Sequence, residues 1–226
     1  MNDSLGFALR LYNQAKITVI AAGFSYELDW QRTRCFADFT ESDLLRESAW
    51  VILCSGFREA TVRKAFDLLS LCFCDWESAH EITLNATACR ATALAVFRNL
   101  RKVDGIIGVA RYVDNAGYGT LKEAIVRDPI PELRNFPFIG PVTSWHLAKN
   151  LGLEVAKPDR HLARLSFSLG FEDAHHLCAS VAAASGDCVK LVDLVFWRYT
   201  ASLRYDPSAT AQVPHRTRGM DLAKLR

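Results

Sequence analysis

A turn rich in proline and glycine, and a carboxylate further along the chain, are the features of this sequence that could carry chemistry. The turn lies within Phe136-Pro137-Phe138-Ile139-Gly140-Pro141, where proline fixes the backbone and glycine leaves room for a close approach. Between two helices, such a turn leaves backbone amides unpaired, and the dipole of the second helix helps them to hold a phosphate. Asp159 follows Pro158 and is expected at the start of a later helix, where it could cap the helix or act on a substrate.

The segments that must position these residues have helical periodicity. Pro141 is expected at the first position of the helix that follows the turn. Glycines at 152, 170 and 186 stand where left-handed residues commonly end helices. Only 16–22 has a strand-like composition, so the sequence predicts an all-α fold. The predicted helices cover 82–100, 102–114, 118–126, 141–151, 159–169, 171–184 and 188–203.

Composition narrows the class of protein. The 226 residues are 50% hydrophobic and 23% charged, which is typical of a globular domain and excludes disorder. A net charge of +2 argues against unselective coating of nucleic acid, so a DNA-binding function must depend on a motif. No apolar run is long enough to span a membrane. Seven cysteines without a framework spacing suit a reducing compartment, and we expect a cytoplasmic monomer, associated with the nucleoid if the source is bacterial.

The turn and the spaced carboxylate together resemble the helix-hairpin-helix DNA glycosylase superfamily. The hairpin of that family reads Leu-Pro-Gly-aliphatic-Gly, where this chain has Phe136-Pro137-Phe138-Ile139-Gly140. Its catalytic segment reads Val-Asp-x-His, which Pro158-Asp159-Arg160-His161 matches from the aspartate onward. Weaker agreement extends over roughly 45–170.

The resemblance implies one glycosylase domain made of two helical lobes with a DNA groove between them. One lobe would come from about 40–150 and would hold the hairpin. The other would combine 1–39 with 151–205, and 206–226 would form a flexible basic tail.

The resemblance also implies an activity and its site. The enzyme would bind double-stranded DNA that carries a modified base, flip that base into a pocket and hydrolyse its N-glycosidic bond. Asp159 would stabilise the positive charge that develops on the sugar and would orient or deprotonate the attacking water. The expected DNA contacts come from the hairpin and from a loop that fills the gap left by the flipped base: Phe136, Pro137, Phe138, Ile139, Gly140, Pro141, Thr143, Phe57 and Arg58. Weaker candidates for the base pocket are Tyr112, Trp145, His146 and His161.

Three departures from the family pattern refine these expectations. The first hairpin glycine is replaced by Phe138. Bifunctional members carry a lysine two residues after the second hairpin glycine, where this chain has Val142, so a monofunctional hydrolase is expected. Only Cys178 and Cys188 follow Asp159, so no iron–sulfur cluster is expected. The family hairpin often holds Na⁺ or K⁺, and the corresponding backbone carbonyls here are those of Arg134, Phe136 and Ile139.

Two alternatives remain open at the level of the sequence. A DNA-binding protein could keep the hairpin and perform no chemistry. A bifunctional glycosylase could cleave the strand with a displaced lysine, for which Lys149 and Lys157 are the candidates. The excised base is also open, because an alkylated purine, a deaminated pyrimidine and a hypermodified base all fit the motifs.

Overall fold

The computed structural model describes residues 3–201, which form thirteen α-helices and contain no β-strand, as predicted. The predicted basic tail at 206–226 lies outside the described residues. In chain order the helices are α1 (Asp3–Ala21), α2 (Ser25–Thr33), α3 (Glu41–Cys54), α4 (Glu59–Cys72), α5 (Ala79–Leu84), α6 (Ala86–Val96), α7 (Leu100–Ala116), α8 (Tyr118–Arg127), α9 (Pro129–Arg134), α10 (Thr143–Asn150), α11 (Arg160–Ser168), α12 (Ala174–Ser185) and α13 (Val189–Ala201).

The apolar side chains of the described residues form two separate cores. The first core is built by α3 to α10 and contains Ile52, Phe66 and Leu133. The second core joins α1 and α2 to α11, α12 and α13 around Tyr12 and Phe196. The chain therefore starts in the second core, passes through the first and returns.

Polar and charged side chains connect the two cores. The guanidinium of Arg198, on α13, donates to Glu27 on α2 and to Glu59 on α4. The amide of Gln31, on α2, donates to the backbone carbonyl of Lys149 on α10 at 3.0 Å. These buried groups are paired across the boundary between the two cores. The boundary is therefore polar, yet its charges have partners.

One sequence prediction about secondary structure was wrong, and one segment of strand-like composition is helical. The strand-like segment 16–22 lies at the end of α1, where packing of Ala15 and Val19 into the second core overrides the strand propensity of β-branched residues. The single helix predicted over 82–100 is divided among α5, α6 and the start of α7. It breaks at Asn85, whose side-chain amide donates to the carbonyl of Glu81 and so competes with the helical hydrogen bonds.

The expected helix ends are mostly confirmed. Gly170 and Gly186 both have positive φ angles, of 77° and 79°, just after α11 and at the end of α12. Asp159 is the N-cap of α11. Pro141, however, precedes the first turn of α10, which begins at Thr143. Within 3–201, none of the helices combines the length and the apolar character needed to cross a bilayer.

Candidate active site

A cavity of about 380 Å³ opens between the two cores and is large enough for a nucleobase. Its walls come from both cores, since α2 and α13 face α3, α4 and α10 across it. Aromatic rings, ion pairs and two lysines share the lining, which consists of Tyr26, Glu27, Trp30, Gln31, Arg46, Glu47, Trp50, Cys54, Phe57, Glu59, Arg63, His146, Lys149, Asn150, Lys157, Leu194, Trp197 and Arg198.

The aromatic part of the lining suits a planar ligand. Trp30, Trp50 and Trp197 approach the cavity from three different helices. The guanidinium of Arg63 lies 5.3 Å from the ring centroid of Trp50 and 6.0 Å from that of Tyr26. Rings of this kind stack on bases, so the cavity can hold an extruded base by its faces.

The carboxylates of the lining are already bound by the chain's own cations. Glu27 accepts hydrogen bonds from both Arg198 and Arg63. Although burial acts in the opposite direction, the bonds from Arg198 and Arg63 lower the pKa of Glu59. The bonds that Glu27 and Glu59 accept link α2, α4 and α13 at the cavity wall.

Asp159 does not itself line the cavity but lies next to Lys157, which does, and its two carboxylate oxygens have different surroundings. Oδ1 accepts the backbone N–H groups of His161 and Leu162, at 2.9 and 3.1 Å, and so caps α11. Oδ2 lies 3.7 Å from the Nζ of Lys157, which lines the cavity. The cap uses Oδ1 alone, and Oδ2 faces the Lys157 ammonium without a hydrogen bond within 3–201.

The buried carboxylate of Asp193, on α13, binds two groups near Asp159. One of its oxygens accepts from the ammonium of Lys149, and the other accepts the backbone N–H of Lys157 at 2.8 Å. His146 lines the same region. Burial, with Lys157 and Lys149 adding to it, lowers the pKa of His146 well below its usual range, so its imidazole is neutral at pH 7.

The hairpin lies in the first core, between α9 and α10. Phe136 and Ile139 are buried, so only their backbone atoms can reach DNA, whereas Pro137 and Phe138 are exposed. The N–H of Gly140 donates to the Thr143 hydroxyl at 2.6 Å and is not free for a phosphate.

The unpaired backbone amides of the hairpin lie after Gly140, at the start of α10. No acceptor within 3–201 binds the amides of Val142 and Thr143, which begin the first turn of α10. A phosphate would therefore meet these two amides rather than that of Gly140.

The structure brings the loop after α3 to the hairpin. Phe57, in that loop, is 41% exposed and lines the cavity, and Phe138 is 40% exposed. The ammonium of Lys102 lies between them, 5.3 Å from the Phe57 ring centroid and 5.2 Å from that of Phe138. The same ammonium donates to the carbonyls of Ile52 and Ser55 at the end of α3. Arg58 follows Phe57 and is exposed.

One comparison with known proteins gives a match. The chain is similar to the 8-oxoguanine DNA glycosylase of Thermotoga maritima, with a TM-score of 0.59 and 20% sequence identity over 88% of this chain and 99% of that chain. The chain has the fold of that DNA glycosylase. No protein-family model and no curated protein matches the sequence. The structural match confirms, for the fold, the resemblance first seen in the hairpin and in the spaced aspartate.

Three of the weaker pocket candidates lie elsewhere in this glycosylase fold. The ring of Tyr112 packs 5.3 Å from that of Phe136, beneath the hairpin. Trp145 is half-buried against the first core, and His161 accepts from its neighbour Arg160 at 3.4 Å. None of the three lines the cavity, because their helices turn these side chains toward the core or the outer surface. Of the four candidates, His146 alone reaches it.

The sequence did not point to most of the cavity wall. Trp30, Trp197 and Arg198 lie at opposite ends of the described chain and meet only in the folded protein. One signal was present, since α13 is an apolar helix that nevertheless carries Lys190, Asp193 and other charges. Charges in such a helix indicate buried partners, but they do not say which.

The structure shows which groups of the described residues could hold a metal ion. No group of three or more His, Cys, Asp or Glu side chains among the described residues could hold a metal ion. At the hairpin, the carbonyl of Phe136 accepts the N–H of Ile139 at 3.1 Å. The carbonyls of Arg134 and Ile139 accept no hydrogen bond within 3–201 and are the freer candidates for a monovalent cation.

The packing of Phe138 against Gly105 on α7 leads to a stability prediction. Phe138 has a φ of 71°, and a Cβ added to Gly105 on α7 would lie 3.1 Å from the Phe138 ring and 3.3 Å from its Cβ. We expect Gly105→Ala to destabilise the protein by about 1 kcal/mol, because overpacking outweighs the gain in helix propensity. In a Phe138→Gly chain, the same change should instead stabilise by about 0.5–1 kcal/mol.

Denaturant unfolding of the four chains measures this sign change. Gly119→Ala on α8 is the matched control, since a Cβ there meets nothing within 4 Å and should be tolerated in both backgrounds. Equal effects of Gly105→Ala in the two backgrounds would show that the ring of Phe138 does not rest on α7.

Proposed function

We propose that this protein is a DNA N-glycosylase that extrudes a modified nucleotide from duplex DNA into the cavity between its two cores and hydrolyses the N-glycosidic bond. The observation that carries this proposal is the position of Asp159, a capped carboxylate next to Lys157, which lines an aromatic cavity of base size. The similarity of the fold to that of a DNA glycosylase supports the same conclusion.

The chemistry follows from the charge that develops as the base leaves. The sugar becomes oxocarbenium-like, and Oδ2 of Asp159 stabilises the positive charge while Oδ1 stays bonded to the first turn of α11. A water molecule adds to C1′, and the carboxylate orients it or accepts its proton. Val142 cannot form a Schiff base, which supports base release by water, as in a monofunctional glycosylase. The products are the free base and an abasic deoxyribose.

DNA binding is assigned to the hairpin face. The amides of Val142 and Thr143 would hold a phosphate, and Phe57 would fill the space that the extruded base leaves. The backbone carbonyls of Arg134, Phe136 and Ile139 would hold a sodium or potassium ion, whose positive charge would favour a nearby DNA phosphate. These contacts fix the position of the protein on the duplex and do not read the base.

Base release from a panel of duplexes tests the proposal. The panel carries oxidised, deaminated, N-alkylated and hypermodified bases in one sequence context, and mass spectrometry detects the free base. We expect release from at least one class. Tight duplex binding with no release from any of them would instead support the alternative, a helix-hairpin-helix protein that binds DNA without chemistry.

The phosphate contact has its own prediction. Gly140 tolerates a side chain, because an added Cβ would have the Thr143 hydroxyl as its nearest neighbour at 3.9 Å. Gly140→Asp should weaken binding of modified and unmodified duplexes alike by about tenfold or more, since like charges at an interface repel. Gly140→Asn, which has the same shape without the charge, is the control and should bind more tightly than Gly140→Asp. Equal affinities of the two variants would remove the hairpin from the DNA interface.

A further inference from the structure

The exposed rings of Phe57 and Phe138 share one support, the side chain of Lys102 near the start of α7. Its Nζ lies 5.3 Å from the Phe57 ring centroid and 5.2 Å from that of Phe138. Phe57 belongs to the loop after α3, and Phe138 belongs to the hairpin between α9 and α10. Lys102 therefore connects two surface segments that are distant in the sequence.

The surroundings of Lys102 are unusual for a lysine. The residue is buried, and its ammonium forms no ion pair within 3–201 but donates to the backbone carbonyls of Ile52 and Ser55. These carbonyls lie at the end of α3, where the helix dipole is negative and favours a cation. The ammonium thereby fixes the end of α3 and the start of the loop that carries Phe57.

Helix α7 also supports the hairpin directly. A Cβ added to Gly105 would lie 3.1 Å from the Phe138 ring, and one added to Gly108 would lie 3.1 Å from the ring of Pro137. The two glycines let the hairpin pack closely on the helix, within two turns of Lys102. Phe57 and Phe138 are consequently held by the same part of α7.

The backbone of Phe138 indicates that its ring has a role outside the core. Its φ of 71° lies in the left-handed region, which is unfavourable for a bulky residue and which glycine adopts at little cost. The ring nevertheless stays 40% exposed, so burial does not account for it. Strained residues of this kind are concentrated at functional sites.

Unpaired cations surround the two rings. Arg58, Arg98 and Arg101 are exposed, and none of them pairs with a carboxylate within 3–201. The guanidinium of Arg101 lies 5.9 Å from the Phe138 ring centroid. The segments 55–58, 97–102 and 136–142 contain no acidic residue. Aromatic rings among free cations suit DNA, because phosphates attract the cations and nucleotides pack on the rings.

We propose that Phe57 and Phe138 contact DNA together, as an aromatic pair, and that Lys102 is the positioning residue that holds this pair. Phe57 fills the gap that the extruded nucleotide leaves, and the ring of Phe138 packs against the adjoining nucleotide. The inference rests on the proposed function, which supplies the extruded nucleotide. It adds a side-chain contact at the position where the family hairpin has a glycine.

Two substitutions of Phe138 separate its ring from its backbone. Phe138→Ala removes the ring and keeps the Cβ, whereas Phe138→Gly also relaxes the positive φ. The probe is a duplex with a tetrahydrofuran abasic-site analogue, whose gap stands for the one that extrusion leaves, and fluorescence anisotropy measures binding. We expect both variants to bind about tenfold more weakly, the scale of one base–aromatic contact. Full affinity of Phe138→Gly alone would show that only the conformation of the hairpin matters.

Salt dependence distinguishes the ring from the surrounding cations. The slope of log affinity against log salt should be unchanged in Phe138→Ala, because the ring displaces no counterions. Arg101→Gln should reduce this slope by about one. Phe167→Ala is the matched control, since Phe167 is 77% exposed at the end of α11 and should not affect binding.

The positioning role of Lys102 is tested in two backgrounds. Lys102→Met removes the ammonium and keeps an unbranched stem, and we expect it to weaken binding to the abasic duplex by about tenfold. In the Phe57→Ala/Phe138→Ala chain, the same change should cause no further loss, because the rings that Lys102 positions are absent. A merely structural lysine would weaken binding equally in both backgrounds. Circular dichroism verifies folding, and the ring variants test the pair even if Lys102→Met does not fold.

The possible outcomes distinguish this inference from the proposed function. Parent affinity in both Phe138 variants would overturn the role of the ring, and base release by the parent would then leave the glycosylase intact. Equal effects of Lys102→Met in the two backgrounds would overturn its positioning role. Weaker binding of both Phe138 variants, with no base release from any duplex, would support the aromatic pair and contradict the glycosylase.

Discussion

Replacement of Asp159 by asparagine is expected to slow base release by about 10²–10³-fold, the usual effect of removing one preorganised group at a reacting centre. The change leaves the cap of α11 in place, because an asparagine oxygen can still accept the N–H groups of His161 and Leu162. Asparagine and aspartate cap helices about equally well, so the free energy of unfolding should change by less than about 1 kcal/mol. Duplex affinity should stay close to that of the parent.

The control for this experiment is another aspartate that caps a helix. Asp173 accepts the N–H of His176 at 2.7 Å at the start of α12 and, unlike Asp159, forms no ion pair with a cavity lysine within 3–201. Asp173→Asn should change neither base release nor affinity. If Asp159→Asn released base at the parent rate, its carboxylate would be a helix cap and nothing more.

Replacement of Asp193 by alanine is expected to lower the free energy of unfolding by about 3–5 kcal/mol, the cost of removing one partner of a buried ion pair. Asp193 is 1% exposed and binds both the Lys149 ammonium and the backbone N–H of Lys157. Its loss leaves a buried positive charge without a partner where α10 meets α13. Unfolding in urea, followed by far-UV circular dichroism, measures the change.

An exposed ion pair provides the comparison. Arg90 and Asp104 are bonded at 2.7 Å, with both side chains nearly half exposed, so Asp104→Ala should cost less than about 1 kcal/mol. Adding Lys149→Met to Asp193→Ala removes the unpaired charge and should restore part of the loss. If Asp193→Ala cost no more than Asp104→Ala, the Lys149 pair would not hold the two cores together.

Local features of the chain could be predicted from the sequence because their causes are local. Asp159 caps α11, and Gly170 and Gly186 follow helix ends, because capping depends on a few neighbouring residues. The hairpin motif is equally local, and with the spaced aspartate it pointed to the glycosylase fold. Where packing competes with propensity, the local signal was insufficient, as in the strand-like 16–22 that became part of α1.

The cavity and its charges were decided by tertiary structure alone. Glu27 and Arg198 are 171 positions apart, yet their side chains bond in the wall of the cavity. Sequence alone offered Lys149 and Lys157 as equal candidates for a displaced amine. Only the fold binds Lys149 to Asp193 and pairs Lys157, at the cavity, with Asp159. The physical reason is that a side chain's burial, its charge partners and its reactivity depend on neighbours that lie far away in the sequence.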